Sequence, residues 1–315
     1  MVRAVHRNQA AMKLALRGAS FAVLAAFALI MGSCIEATGT LPRQAEPRIV
    51  FVTDRDGNDE IYTMNSDGTN PVRLTINNAR DTRPVWSPDG NSIVFVSERS
   101  GNRDVWIMNA NGTGIRNLTQ NPFTDDAPNW SPDGNRIVFS SNRFGNFEVY
   151  VTNASAGDTT KVLTDNFAAD SWPTFSPDGR YIAFHANRNS VNDDIYVLFN
   201  TLNQVTRLTT TGGADQFPAW SPDGTKIAFT TFRDGNFEIY TMDFVERPEV
   251  KGDNLTNLTR NPGGDARPAW SFDNRKICWT STRGGSSDIW VMDADGSNPA
   301  RLTTQAGADD FCSIK

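Results

Sequence analysis

An aspartate stands three positions ahead of a proline at Asp81, Asp125, Asp170, Asp215 and Asp265, and Asp309 holds the same place ahead of Cys312. Carboxylates brought to one level in this way would form an anionic ring able to hold a cation or a basic partner. Each unit also supplies an arginine, Arg55, Arg99, Arg143, Arg188, Arg233 or Arg283, and a carboxylate answered by its own guanidinium is scaffold rather than site. A residue needed once per repeat usually serves the repeat. Pairing is therefore the preferred reading and an open, cation-binding ring the alternative; no other cofactor is expected.

The residue directly before the same proline changes from copy to copy: Arg83, Ala127, Trp172, Phe217 and Arg267, then Phe311 before Cys312. Sites are grafted onto folds, so they are sought where copies disagree. Aromatic rings and guanidinium groups on one face make an anchor for a peptide or a sugar. Packing of the aromatics between repeats is an equal alternative.

The catalytic inventory is poor. Of 2 histidines, His6 lies in the N-terminal segment and His185 in an apolar run where other copies have Val96, Ser140 and Thr230. No Gly-x-Ser-x-Gly elbow, His-Glu-x-x-His pair or phosphate-binding loop occurs. Nothing singles out two of the ring aspartates as a glycosidase pair. Asp54 to Asp59 has the composition of a calcium loop in the wrong register and reads as a hairpin turn. The expectation is a protein without enzymatic activity.

These residues recur because the chain repeats at intervals of about 45 residues, the period of a β-propeller blade. A Trp-Ser-Pro-Asp-Gly turn begins at Trp86, Trp130 and Trp220, with variants at Phe175 and Trp270, while an acidic-Ile/Val-Tyr/Trp triplet begins at Glu60, Asp104, Glu148, Asp194, Glu238 and Asp288. Five turns against six triplets mean that one blade is split. Arg48 to Val52 matches the second strand of later units, and Gly307 to Ile314 matches Gly213 to Trp220, a first strand. The prediction is an all-β, six-bladed β-propeller over 48–315, closed by strand exchange between the N- and C-termini, which removes exposed sheet edges. Proline second and glycine fourth suit a type I turn. Second strands such as Ile137-Val138-Phe139 are apolar on both faces, as stacked blades require. The charged, proline-interrupted connection from Phe244 to Asp253 reads as a solvated hairpin tip.

Residues 1–33 differ in kind, with Arg3, Arg7, Lys13 and Arg17 but no acid, then an apolar run from Ala19 to Met31 that is short for a membrane span, then Gly32-Ser33-Cys34. This reads as a lipoprotein-type signal peptide, with Cys34 the lipid-bearing residue, 34–47 a tether and Met12 an alternative start; an ordinary cleaved leader is the alternative. The 30 Lys and Arg against 36 Asp and Glu give −6, and without the 4 basic residues of the leader 26 against 36 leaves about −10. Nucleic acid is therefore not expected as a partner. Cys278 and Cys312 fall in adjacent blades, where two buried, unbridged side chains are the expected state and a disulfide in an oxidising envelope the alternative.

In combination, the Pro-x-Trp-Ser-Pro-Asp-Gly segment, the arginine after the second strand, the Ile-Tyr strand and the Arg-Leu-Thr end resemble the TolB-type propeller repeat over essentially all of 48–315. In that family a six-bladed propeller follows an α/β domain, which is not expected here. The resemblance implies a cell-envelope protein that binds another envelope protein; together with the leader, the expectation is a monomer anchored by its lipid at a membrane and facing the periplasm or the cell surface. For the propeller alone it implies docking of a Pal-like lipoprotein at one mouth of the funnel. TolB-like oligogalacturonate lyases hold a metal through several histidines, which this chain lacks. The alternative function is a glycan-binding or weakly glycan-cleaving propeller using Trp172, Phe217 and the nearby carboxylates.

Overall fold

The computed structural model describes residues 48–315 apart from 157–159, 189, 190, 211 and 248. The leader, Cys34 and the tether lie outside the described residues. Twenty-four strands form six four-stranded antiparallel sheets, and there is no helix among the described residues. Blade I comprises Asp81–Trp86, Ser92–Ser97, Asp104–Asn109 and Arg116–Asn117, hydrogen-bonded in that order. Blades II to V repeat the order from first strands Asp125–Trp130, Asp170–Phe175, Asp215–Trp220 and Asp265–Trp270. Blade VI takes its first strand, Asp309–Ile314, from the C-terminal end and pairs it with Arg48–Thr53, followed by Glu60–Asn65 and Val72–Arg73. The expected strand exchange is present. Both ends of the seam are bonded: Asp54 N–H donates to Ala308 O at 3.3 Å and Lys315 N–H to Arg48 O at 2.9 Å.

Asp81 lies opposite Ser97, and Ser97 opposite Asp104. The connections from second to third strand, and from fourth strand to the next blade, therefore emerge at one end of the sheets, the loop face. The Ser-Pro-Asp-Gly turns emerge at the other, the turn face. There Gly90 donates to Ser87 O at 2.8 Å with φ 69°, a left-handed fourth position that glycine takes without penalty.

The core lies between blades rather than within one. Phe51, Phe95, Phe139, Phe184, Phe229 and Trp279, all at one second-strand position, are fully buried, and Phe95 of blade I packs with Val50 and Ile61 of blade VI. The arginine after each second strand caps this column; Arg233 lies 5.5 Å from the Phe229 ring and 4.7 Å from the Tyr240 ring.

Two expectations are corrected. Cys278 and Cys312 are bridged, across a Cα separation of 6.3 Å. Ring closure lays the first strand of blade VI against blade V and puts both cysteines in one inter-blade cluster with Phe51, Ile289 and Ile314. The connection from Phe244 to Asp253 is not simply a solvated tip. Strands Glu238–Val245 and Lys251–Asn257 run into it, and Phe244 packs edge-on against Tyr181 at 5.1 Å and Trp220 at 4.7 Å. Among the described residues of this connection, Arg247, Glu249 and Lys251 are exposed.

Candidate functional site: an axial cluster of left-handed residues

Every first strand loses register just after its aspartate, between Thr82 and Val85 in blade I, for example, and between Ser171 and Thr174 in blade III. The bulge places one residue per blade at positive φ: Arg83 at 53°, Ala127 at 49°, Trp172 at 56°, Phe217 at 55°, Arg267 at 58° and Phe311 at 54°. None is glycine, although the left-handed region costs an L-residue roughly 1–2 kcal/mol. A residue before proline normally prefers an extended backbone, so the ring overrides local preference at these positions. Phe311 takes the same conformation without a proline after it.

The Ala127 and Phe311 N–H groups donate to Asp126 Oδ1 and Asp310 Oδ1, both at 2.8 Å, and three other bulge N–H groups are taken up by the preceding blade. Trp172 N–H donates to Ser140 Oγ at 3.1 Å, Phe217 N–H to His185 Nδ1 at 3.2 Å and Arg267 N–H to Thr230 Oγ1 at 3.0 Å, each acceptor standing on the second strand of the preceding blade. His185 is thus a positioning acceptor. Burial pushes its pKa down to about 4, against the pull of Asp193 and Asp170, and the neutral ring keeps Nδ1 free to accept.

The side chains converge. Trp172 stacks on Phe311 with centroids 5.7 Å apart and planes 5° apart, and meets Phe217 edge-on at 4.7 Å. Arg83 lies 5.2 Å from the Trp172 ring and 5.1 Å from Phe311, and Arg267 lies 5.2 Å from Phe217 and 4.4 Å from Phe311. Blades I and III are not neighbours in the ring, so contact between Arg83 and Trp172 is contact at the axis. The candidate residues therefore pack on one another across the channel, which is neither an open row of anchors nor a wedge between adjacent blades. On the turn side they cap a cavity of about 120 Å³ that is also lined by Pro84, Pro128, Pro173, Pro218 and Pro268.

Two carboxylates complete the cluster. Arg83 ends on Asp126 at 2.8 Å and Arg267 on Asp310 at 2.9 Å. Burial lowers the Arg83 pKa, and Asp126 opposes that effect. Sequence reasoning missed both acids, which stand in a column held elsewhere by Thr82, Ser171, Gln216 and Ala266.

The ring aspartates have a different fate. Asp81, Asp125, Asp170, Asp215, Asp265 and Asp309 are all buried, and each meets the arginine of its own blade. Arg99–Asp81 is 2.6 Å, Arg283–Asp265 2.7 Å, Arg143–Asp125 2.9 Å, and Arg233–Asp215 and Arg55–Asp309 both 3.1 Å; Arg188 bonds Asp170. Among the described residues no group of three or more His, Cys, Asp or Glu side chains stands close enough to hold a metal ion. The loop face also exposes Ile76, Phe123, Phe144, Phe167, Val191, Phe232 and Phe237. Sequence analysis passed over these residues. The available signal was a bulky apolar side chain in a loop column, Phe123 standing where other copies have Gly213 or Gly263.

The family model described as the TolB beta propeller domain matches residues 119–216, 167–248 and 213–313, together more than half of the chain. The chain belongs to the TolB β-propeller family. The model of the Tricorn protease N-terminal beta propeller domain matches 40–149. The Tol-Pal system protein TolB of Desulfosudis oleivorans is 47% identical over 53 residues, 17% of this chain and 12% of that protein. The protein TolB homolog of Chlorobaculum tepidum is 50% identical over 46 residues, 15% of this chain and 11% of the other. The crystal structure of TolB from Acinetobacter baumannii superposes with a TM-score of 0.73 at 21% identity, covering 85% of this chain and 66% of that one, a likeness of fold. The chain thus matches about an eighth of the length of these curated TolB relatives.

Proposed function

We propose that this TolB-family propeller is a non-catalytic binding scaffold of the cell envelope that receives a partner protein on its loop face, with a Pal-like lipoprotein as the first candidate. The axial cluster carries the reading. Backbone strain is kept in every blade with a side chain on each strained residue, and such strain persists where a site requires it. Trp and Arg, both present in the cluster, are enriched among residues that dominate protein interfaces. The same face also exposes apolar side chains, of which Phe232 and Phe237 pack edge-on at 5.0 Å. The partner class follows the Tol-Pal name carried by the Desulfosudis oleivorans relative. Periplasmic or surface location, a lipid at Cys34 and a monomeric state belong to the same proposal. A cation does not, because each ring aspartate is occupied by an arginine.

The test is capture. The chain from residue 35 to 315 is immobilised, exposed to solubilised envelope, and the retained molecules are identified by mass spectrometry. A Pal-like lipoprotein is expected to be retained, and retention should drop at least ten-fold for the triple variant Arg83→Gly, Trp172→Gly, Phe217→Gly. Glycine at these φ values removes the side chains and relieves the backbone, so an unchanged melting temperature separates lost docking from lost fold. Equal retention by variant and parent would overturn the reading. Retention of polysaccharide alone would favour glycan binding, although one face of Trp172 is already stacked on Phe311.

A further inference from the structure

We propose that the Cys278–Cys312 disulfide is a redox-sensitive latch on the closing strand, and that it ties closure of the ring to the geometry of the axial cluster. In blades I to V the first strand continues through a turn into its own second strand. Asp309–Ile314 is not joined by such a turn to the strand it pairs with. Its partner in the sheet, Arg48–Thr53, belongs to the other end of the described chain. Besides the apolar packing of Cys312 and Ile314 with Phe51 and Ile289, what holds it is a ladder interrupted by a bulge, the Asp309–Arg55 and Asp310–Arg267 pairs, and side-chain and backbone hydrogen bonds. These bonds include Thr280 Oγ1 to Asp310 Oδ1 at 2.6 Å, Asp309 N–H to Ser287 O at 2.8 Å and Trp86 N–H to Ser313 Oγ at 3.3 Å. The disulfide is the one covalent tie from within this strand to another blade among the described residues.

The position of the bond links it to the site. Cys312 directly follows Phe311, the ring on which Trp172 stacks and over which both Arg83 and Arg267 lie. Asp310, two residues away from Cys312, receives Arg267. If the strand lifts, the cluster loses its central ring and one of its two carboxylates together. This part of the inference rests on the docking reading; the latch itself does not.

Burial governs the chemistry. Cys278 is fully buried and Cys312 nearly so, so the bond forms once the strand is seated and is reached when the strand lifts. Reduction requires a dithiol. One of its thiolates attacks Cys312 Sγ, giving a mixed disulfide and releasing Cys278 as a thiolate that takes up a proton. The second thiol of the reductant then displaces Cys312 and leaves as a cyclic disulfide. The protein disulfide gains two electrons and the dithiol loses two.

Hydrogen exchange tests the latch on the full chain, compared in its oxidised form, after dithiothreitol, and as the Cys278→Ala, Cys312→Ala variant. The expected result is exchange at least ten-fold faster along Arg48–Thr53 and Asp309–Ile314 in the reduced form and in the variant, with the second strands of blades II and III unchanged. Exchange that is equal across the three forms overturns the latch. So does the finding of two free thiols in an unfolded Cys34→Ser chain purified from an oxidising envelope, since the bond would then not have formed. If the variant fails to fold, the dithiothreitol comparison on the parent still decides. Neither readout uses a partner, so failure of the capture experiment and failure of the latch are distinguishable.

Discussion

Asp215 and Arg233 illustrate what a single side chain does in this ring. The carboxylate is fully buried and tolerated because Arg233 reaches it from the same blade while lying over Phe229 and Tyr240. Removing one partner of a buried pair costs about 3–5 kcal/mol, whereas replacing both with apolar residues can cost little. Arg233→Ala should therefore destabilise by that amount in urea unfolding, and Arg233→Met with Asp215→Leu should recover most of it. A loss of less than about 1 kcal/mol in the single variant would mean that the pair behaves as an exposed one. His185 makes the opposite kind of statement. Its native pKa of about 4 lies below the unfolded value near 6.5, so the unfolded chain binds the extra proton between those limits. Its contribution to stability is complete above about pH 6.5 and is lost as the pH falls toward 4. His185→Thr, the residue that serves as acceptor at position 230, should keep the bond to Phe217 N–H and flatten the fall in urea midpoint between pH 7 and pH 5. An unchanged slope would show that other groups cause the fall. The slot was legible in sequence, where Ser140 and Thr230 align with His185; the N–H it serves was not, because that donor is freed by a bulge that residues before proline do not advertise.

At the scale of the strand, the turn chemistry transferred directly from sequence to structure. Ser-Pro-Asp-Gly and the apolar second strands specify geometry locally, and repetition made them unmistakable. The split blade was equally readable, since a missing turn and an unpaired first strand are differences in count. The bridge between Cys278 and Cys312 was not readable, because it depends on how two blades face each other across the seam. Deletion of residues 309–315 should leave Arg48–Thr53 with an open edge and remove the latch. Loss of a native disulfide alone typically costs about 2–5 kcal/mol. The truncated chain should melt well below the parent, and should associate through the freed edge when followed by light scattering. Coincident melting curves would mean that the exchanged strand is dispensable.

The propeller presents two unlike ends. The loop face combines neutralised aspartates, exposed apolar side chains and a plugged axis; the turn face carries prolines and short hairpins over an apolar cavity. The envelope capture experiment belongs at this scale, because docking would draw on several blades at once and no single repeat contains the surface. Composition and repeat count were sufficient to anticipate the architecture. They did not single out the loop-face side chains on which the docking proposal rests, because these are a few bulky residues in loops whose columns hold glycine in other copies.

The bond from Lys315 N–H to Arg48 O, together with the pairing of their strands, brings the two ends of the propeller within one turn of each other. The fold is in effect a closed circle cut at one of six equivalent places. A Ser-Pro-Asp-Gly linker from residue 315 to residue 48 would mend that cut. New ends could then be opened at another Ser-Pro-Asp-Gly turn, such as the one of blade II containing the exposed Asp133, and the six axial side chains would stay where they are. The position of the cut would then decide only which blade depends on a latch.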